Sequence, residues 1–314
     1  MIVDLGRIIL DPNTDWAITW MTKSDSPVLL WSYIGPVFQE LSFRTMGELG
    51  PRVMGLVGAV LAANAMLFYL LARGTSQTAA LTLSLVFLLD PLFVQSYTMG
   101  RVDGWAIAFC ITSCYVLTGS MTVLTKKQLK IQAFMAGGLG SIGFLIWPSA
   151  IFLFPLIVYQ LLILCFERKS ILAMAYFILG AVIIGFSLLL PISLRIYQQF
   201  DRVVDGLLVN LKHASDMPDS RLLNYFHSAL ELLRILKFTP FLVLFAFISV
   251  SRRKSGLILA ASATILLLLI TLVYIHRVIY LLPLFIVSIA LEYKLTGLRT
   301  RKLTHFKAIA RYIP

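Results

Sequence analysis

Two short turns concentrate the side chains that could do chemistry. The stretch TMGRVDGW holds Arg101 and Asp103 two residues apart, and YIHRVIY holds His276 beside Arg277. A longer N-terminal stretch adds Asp11 and Asp15, in DPNTD. Arginine binds a phosphate bidentately and keeps its proton. A carboxylate can take the proton of an incoming hydroxyl. Carboxylates with arginines therefore suit transfer of a group away from a phosphate. Blander roles exist for each. An Arg-x-Asp pair can close a tight turn, but an exposed pair contributes only about 0–1 kcal/mol, a weak reason to build one. A His-Arg couple can anchor a chain at a membrane surface through its long side chains. Asp90, in LLDPLF, is the acid set deepest in an apolar run; beside Pro91 it is expected to cap or pair locally at a bend. Cys110, Cys114 and Cys165 all lie in apolar runs, the first two on one helical face. Small apolar packing is expected of them rather than a metal pair or disulfide.

Almost everything between these turns is apolar. The 314 residues are 59% hydrophobic and 13% charged, with a mean hydropathy of +0.87. A soluble domain carries about 25% charged residues, so lipid is the expected solvent for most of this chain. The fold class expected is all-α, a polytopic transmembrane helical bundle. About 20 apolar residues cross a bilayer. Nine such runs are expected, near 53–72, 78–97, 104–124, 131–147, 149–166, 171–194, 238–250, 256–275 and 278–294. The fourth and fifth form a tight hairpin through Trp147-Pro148-Ser149, since proline ends the helical ladder and tryptophan favours the interface.

The net charge of +12 is read as membrane topology rather than nucleic-acid binding. Every second connection is basic: Arg73; Lys126, Lys127 and Lys130; Arg168 and Lys169; Arg252, Arg253 and Lys254; and the C-terminal tail from Lys294 to Arg311. Basic connections stay in the cytoplasm. That puts the N-terminus outside, the C-terminus inside, and both site turns on the outer face. The chain then divides into an outer segment 1–51, spans 52–194, an outer segment 195–237, spans 238–295 and a basic cytoplasmic tail 296–314. Delivering 1–51 to the outside calls for a preceding span, so a helix upstream of Met1 is expected. Within the second outer segment, SRLLNYFHSALELLRILK puts Leu222, Leu223, Phe226, Leu230, Leu233 and Leu236 on one helical face. That is either a helix lying in the outer interface or one packed on the other outer segment. Neither an internal repeat nor a low-complexity segment is evident.

A carboxylate and one or two arginines at the outer interface meet the needs of a sugar carried on a polyprenyl phosphate. The tail stays in the bilayer, so the reacting carbon sits at the membrane surface. The phosphate leaves and gains charge, which a fixed arginine stabilises. Three stretches carry a resemblance to this chemistry. GELGPRVMGLVGAVLAANAMLFYLLAR, with Arg52 and Arg73, resembles the spans that follow the first loop in membrane glycosyltransferases of the GT-C type. Those include the protein O-mannosyltransferases and the bacterial transferases that decorate lipid A. There an acidic loop, here Asp11 and Asp15, precedes a Pro-containing helix, here PVLLWSYIGP. LSLVFLLDPLFVQSYTMGRVDGWAIAF is similar to the family's span, Arg-x-Asp turn and next span. YIHRVIYLLPLFIV is similar to its late turn and Pro-containing span.

The resemblance implies an inverting glycosyltransferase, hexosyl or pentosyl, that uses a polyprenyl-phosphate sugar donor and a lipid, glycan or protein acceptor. It implies that the base is Asp15 or Asp11. Arg101 would hold the phosphate, Asp103 would orient Arg101, and His276 or Arg277 would share the load. The family has adjacent acids where this chain has DPNTD, which leaves the choice between the two open. The family's first span is also absent here, in line with the expected upstream helix. No cofactor is expected; a divalent metal on Asp11 and Asp15 is the less favoured alternative. The location expected is the bacterial plasma membrane. Two rivals remain, a transporter or flippase for a lipid-linked or amphipathic solute, and a polymerase or ligase that uses a lipid diphosphate.

Overall fold

The computed structural model describes residues 6, 7, 10, 33–118, 125–193, 221–251, 256–271 and 275–291. Asp11 and Asp15 lie outside them, as do residues 194–220 and the basic tail. The described residues are helical and contain no strand. The helices are α1 (Ile34–Met46), α2 (Leu49–Ala72), α3 (Gln77–Leu88), α4 (Pro91–Thr98), α5 (Asp103–Thr118) and α6 (Lys126–Ile146). A 3-10 segment, Pro148–Leu153, leads into α7 (Phe154–Arg168), followed by α8 (Leu172–Leu189). Then come α9 (Arg221–Leu236), α10 (Pro240–Ser251), α11 (Gly256–Ile270) and α12 (Ile275–Leu291). Four are long and apolar enough to cross a membrane: α2, α6, α7 with its leading 3-10 segment, and α8. The pair α3 and α4 makes a fifth if the two count as one span. The shorter apolar helices α5, α11 and α12 overlap three of the remaining expected runs, and the 12-residue α10 overlaps the fourth.

One expected run differs. Residues 78–97 are not one straight span but two helices bent by 56°. The cause is local. Pro91 has no N–H to continue α3, and Asp90 takes over as the cap of α4, its Oδ1 accepting from the Leu92 N–H at 3.0 Å. Asp90 is buried, and its role there is structural.

Two packing arrangements matter for the site. Pairs of small residues let α6 and α8 touch backbone to backbone. A Cβ on Gly180 would overlap the Phe134 carbonyl, and one on Gly137 would overlap the Phe177 carbonyl. Small residues are what allow helices to approach this closely where the medium is lipid. The other arrangement is the α4–α5 turn. Gly100 adopts φ +70, a left-handed value that favours glycine, and a Cβ there would sit 2.9–3.0 Å from Pro51. Gly55 and Gly58 of α2 likewise abut this turn and Trp105, whose Nε1 donates to the Met54 carbonyl at 2.8 Å. The turn is thus clamped onto the first half of α2.

Candidate functional site

The N-terminus of α5 lies where six elements meet. The end of α4 supplies Ser96, and the turn after it supplies Arg101. The start of α5 supplies Asp103, the end of α6 supplies Trp147, and the start of α12 supplies His276 and Tyr280. Gly35 of α1 completes the ring, for a Cβ there would press on Val102 and on the Ile146 carbonyl.

Asp103 is wholly buried and uses both oxygens. Oδ2 accepts from Arg101 Nε at 2.7 Å and from Ser96 Oγ at 3.1 Å; Oδ1 accepts from the Tyr280 hydroxyl at 2.9 Å. Three donors, one of them the counter-charge Arg101, satisfy this carboxylate out of water. It is correspondingly ill placed to serve as a base. What it does is hold Arg101. The guanidinium is engaged end-on through Nε, with its carbon 5.5 Å from the centroid of the Trp147 ring. Cation–π contact of this kind adds about 0.5–2 kcal/mol. Arg101 is 15% exposed. The Asp103 bond uses Nε; the terminal Nη pair, the half of the fork that matches a phosphate edge, makes no hydrogen bond among the described residues.

His276 stands in the turn ahead of the apolar part of α12. Its pKa is lowered from 6.5, by burial first and by the nearby Arg101 charge second, with Asp103 opposing. The imidazole is therefore neutral at pH 7. Arg277, next in sequence, is half-buried in the same turn.

Of the residues singled out by sequence, the structure brings together Arg101, Asp103 and His276, with Arg277 in the same turn. Asp11 and Asp15 lie outside the described residues. Among the described residues no three His, Cys, Asp or Glu side chains converge as metal ligands would. The sequence reading missed three members. Ser96 carries no signal of its own. Tyr280 falls four residues after His276, so the i, i+4 spacing within YIHRVIY put both on one face of α12. Trp147 was taken as an interfacial hairpin residue, and nothing local marks it as the seat of Arg101.

A second polar group lies on α1. Gln39 is fully buried, and among the described residues neither its carbonyl oxygen nor its amide nitrogen has a partner. It shares a helix face with Gly35, one turn away. Next to it, the buried Glu40 carboxylate accepts from Arg44 Nε at 2.9 Å and Arg7 Nε at 3.4 Å through Oε1, while Oε2 has no partner among the described residues.

No family model, no curated protein and no solved structure matches this chain.

Proposed function

We propose that this chain is a membrane glycosyltransferase that moves a sugar from a polyprenyl-phosphate carrier to an acceptor on the outer face of a bacterial plasma membrane. The reading carries nine spans, with the N-terminus outside and the C-terminus in the cytoplasm. Arg101 receives the departing phosphate, Asp103 aims it, and His276 and Arg277 lie against the same anion. Asp15, with Asp11, takes the proton of the acceptor hydroxyl, whose oxygen bonds to the anomeric carbon as the bond to the phosphate oxygen breaks, inverting the configuration there. The observation that supports this reading is the end-on grip of buried Asp103 on Arg101 Nε, a bond that does not use the terminal Nη pair. A buried charge pair is a weak source of stability, so its presence in an apolar bundle favours a functional reason.

The experiment uses the full chain in proteoliposomes, with undecaprenyl phosphate and its glucosyl, mannosyl and arabinosyl esters as probes. Binding of the lipid phosphate is measured, as is release of free undecaprenyl phosphate from the sugar esters, with an added lipid hydroxyl or water taking the sugar. Arg101→Gln is expected to lose binding at least tenfold. Asp15→Asn is expected to keep binding and lose release. Unchanged binding in Arg101→Gln refutes the phosphate role.

The bend between α3 and α4 favours a second reading, a transporter or flippase of a lipid-linked solute, because transporters build their sites at broken helices. In that case Asp15→Asn leaves activity nearly intact, and the probe crosses the bilayer with its sugar attached.

A further inference from the structure

Helix α9 has three different sides. At 100° per residue, Leu232, Ile235 and the following Thr239 share one side, and all three are buried. This side packs against α11 and against the first turn of α12, which carries His276 and Arg277. A second side carries His227, Glu231 and Arg234, all charged or polar and outward, with a 3.5 Å pair between Glu231 and Arg234. The third side carries Phe226, Leu230 and Leu233, which are 59%, 47% and 64% exposed. Each side takes roughly a third of the circumference. An ordinary amphipathic surface helix has two sides, an apolar one toward the protein and a polar one toward water. This one has an additional apolar side that the described residues leave exposed.

The next helix indicates what does cover it. After Thr239, the chain passes directly into α10, an apolar helix whose Phe241, Leu244 and Phe247 are 76%, 54% and 71% exposed. The bare stripe of α9 is thus joined to an apolar helix with a bare side of its own. One medium has to serve both. Lys237 ends the stripe with its ammonium 5.3 Å from the Phe238 ring centroid, a long side chain placed to reach from an apolar surface toward water.

We propose that α9 lies along the line where water, lipid and protein meet, with bilayer lipid chains covering Phe226, Leu230 and Leu233. Lipid holds one side, water wets the second and the bundle takes the third. Because the packed side rests on the first turn of α12, α9 also sets the depth of His276 and Arg277, at the level of the lipid headgroups. This inference stands apart from the transferase reading, since it concerns the partner of a surface and not a reaction.

Site-directed spin labelling tests it. Cys110, Cys114 and Cys165 are replaced by alanine in the full chain. Single cysteines are placed at Phe226, His227, Leu230, Glu231, Leu233 and Arg234, and the labelled protein is reconstituted in phosphatidylethanolamine–phosphatidylglycerol vesicles. Oxygen concentrates in lipid and a neutral nickel chelate stays in water, so their collision rates with the label separate the media. Labels at 226, 230 and 233 are expected to collide mostly with oxygen, and labels at 227, 231 and 234 mostly with nickel. High nickel collision at all six positions overturns the proposal, because the stripe then faces water. Low collision with both reagents at 230 and 233 also overturns it, because a second copy or another protein segment then covers the stripe. All six positions are outward, so the labels do not require the core to repack.

Discussion

Tyr280 donates a 2.9 Å hydrogen bond to Oδ1 of Asp103, a residue 177 positions earlier in the chain. It is the tie between the Arg101 turn and the start of α12, and it makes the late part of the sequence necessary to the early part. Removing the hydroxyl alone, in Tyr280→Phe, leaves one buried carboxylate oxygen without its donor. A hydrogen bond to a charged group contributes about 1.5–3 kcal/mol. Thermal unfolding in detergent should register a loss of that size. Phosphate binding should fall with it, since Arg101 is aimed by the same carboxylate.

Asp103→Asn is expected to be worse. It leaves the largely buried Arg101 charge without its partner, a change that costs about 3–5 kcal/mol in buried pairs. Combining it with Arg101→Gln should return part of the stability, because the unpaired charge is then gone. A double variant no more stable than Asp103→Asn would show that the pair is not coupled.

Gln39 makes the opposite prediction. Its buried amide has no partner among the described residues, and an unmet polar group costs about 1–3 kcal/mol. Gln39→Met keeps the length and removes both polar atoms. The ligand-free protein should gain about 1 kcal/mol, read as a higher melting temperature. A lower melting temperature would mean that the amide is already paired.

His276 predicts a pH dependence. Its folded pKa lies below the ordinary 6.5, so at neutral pH it is uncharged in both the folded and the unfolded chain. As pH falls from 6.5 toward the folded value, the unfolded chain takes up the proton first, and stability declines. Once His276 is protonated in the folded state, a positive charge joins Arg101. The affinity for a lipid phosphodiester should therefore rise as pH falls below 6.5 and through the folded pKa. His276→Gln should flatten both trends, with melting curves and lipid-binding isotherms measured across that interval.

The helices were legible in the sequence because hydropathy acts over whole runs. Runs such as 53–72 and 171–194 fall on α2 and α8 within a few residues. The break at Asp90 was harder to see, because LSLVFLLDPLFVQSY stays apolar through it and only the Asp-Pro pair marks the bend. The site was half legible. Arg101, Asp103 and His276 betray themselves as charged or titratable groups next to spans, where such groups are costly. Ser96, Tyr280 and Trp147 do not, because their roles arise from long-range contacts that no local pattern encodes. The bare stripe of α9 shows the same limit. Phe226, Leu230 and Leu233 were visible as an apolar face, but that Leu232 and Ile235 form the packed one follows only from the fold.

Trp147 has one more consequence. It ends α6, with its own N–H bonded to the Gly143 carbonyl, and its ring lies beside Arg101. The residue after it, Pro148, starts the 3-10 segment into α7. A single position therefore serves as the stop signal of one helix and the seat of a guanidinium. Hairpins between helices ordinarily tolerate added residues. Here an insertion before Trp147 would turn the indole away from Arg101 by about 100°, and the hairpin would still close. The damage would appear only as a guanidinium that has lost its bearing, so the length of this connection is set by its neighbour across the bundle.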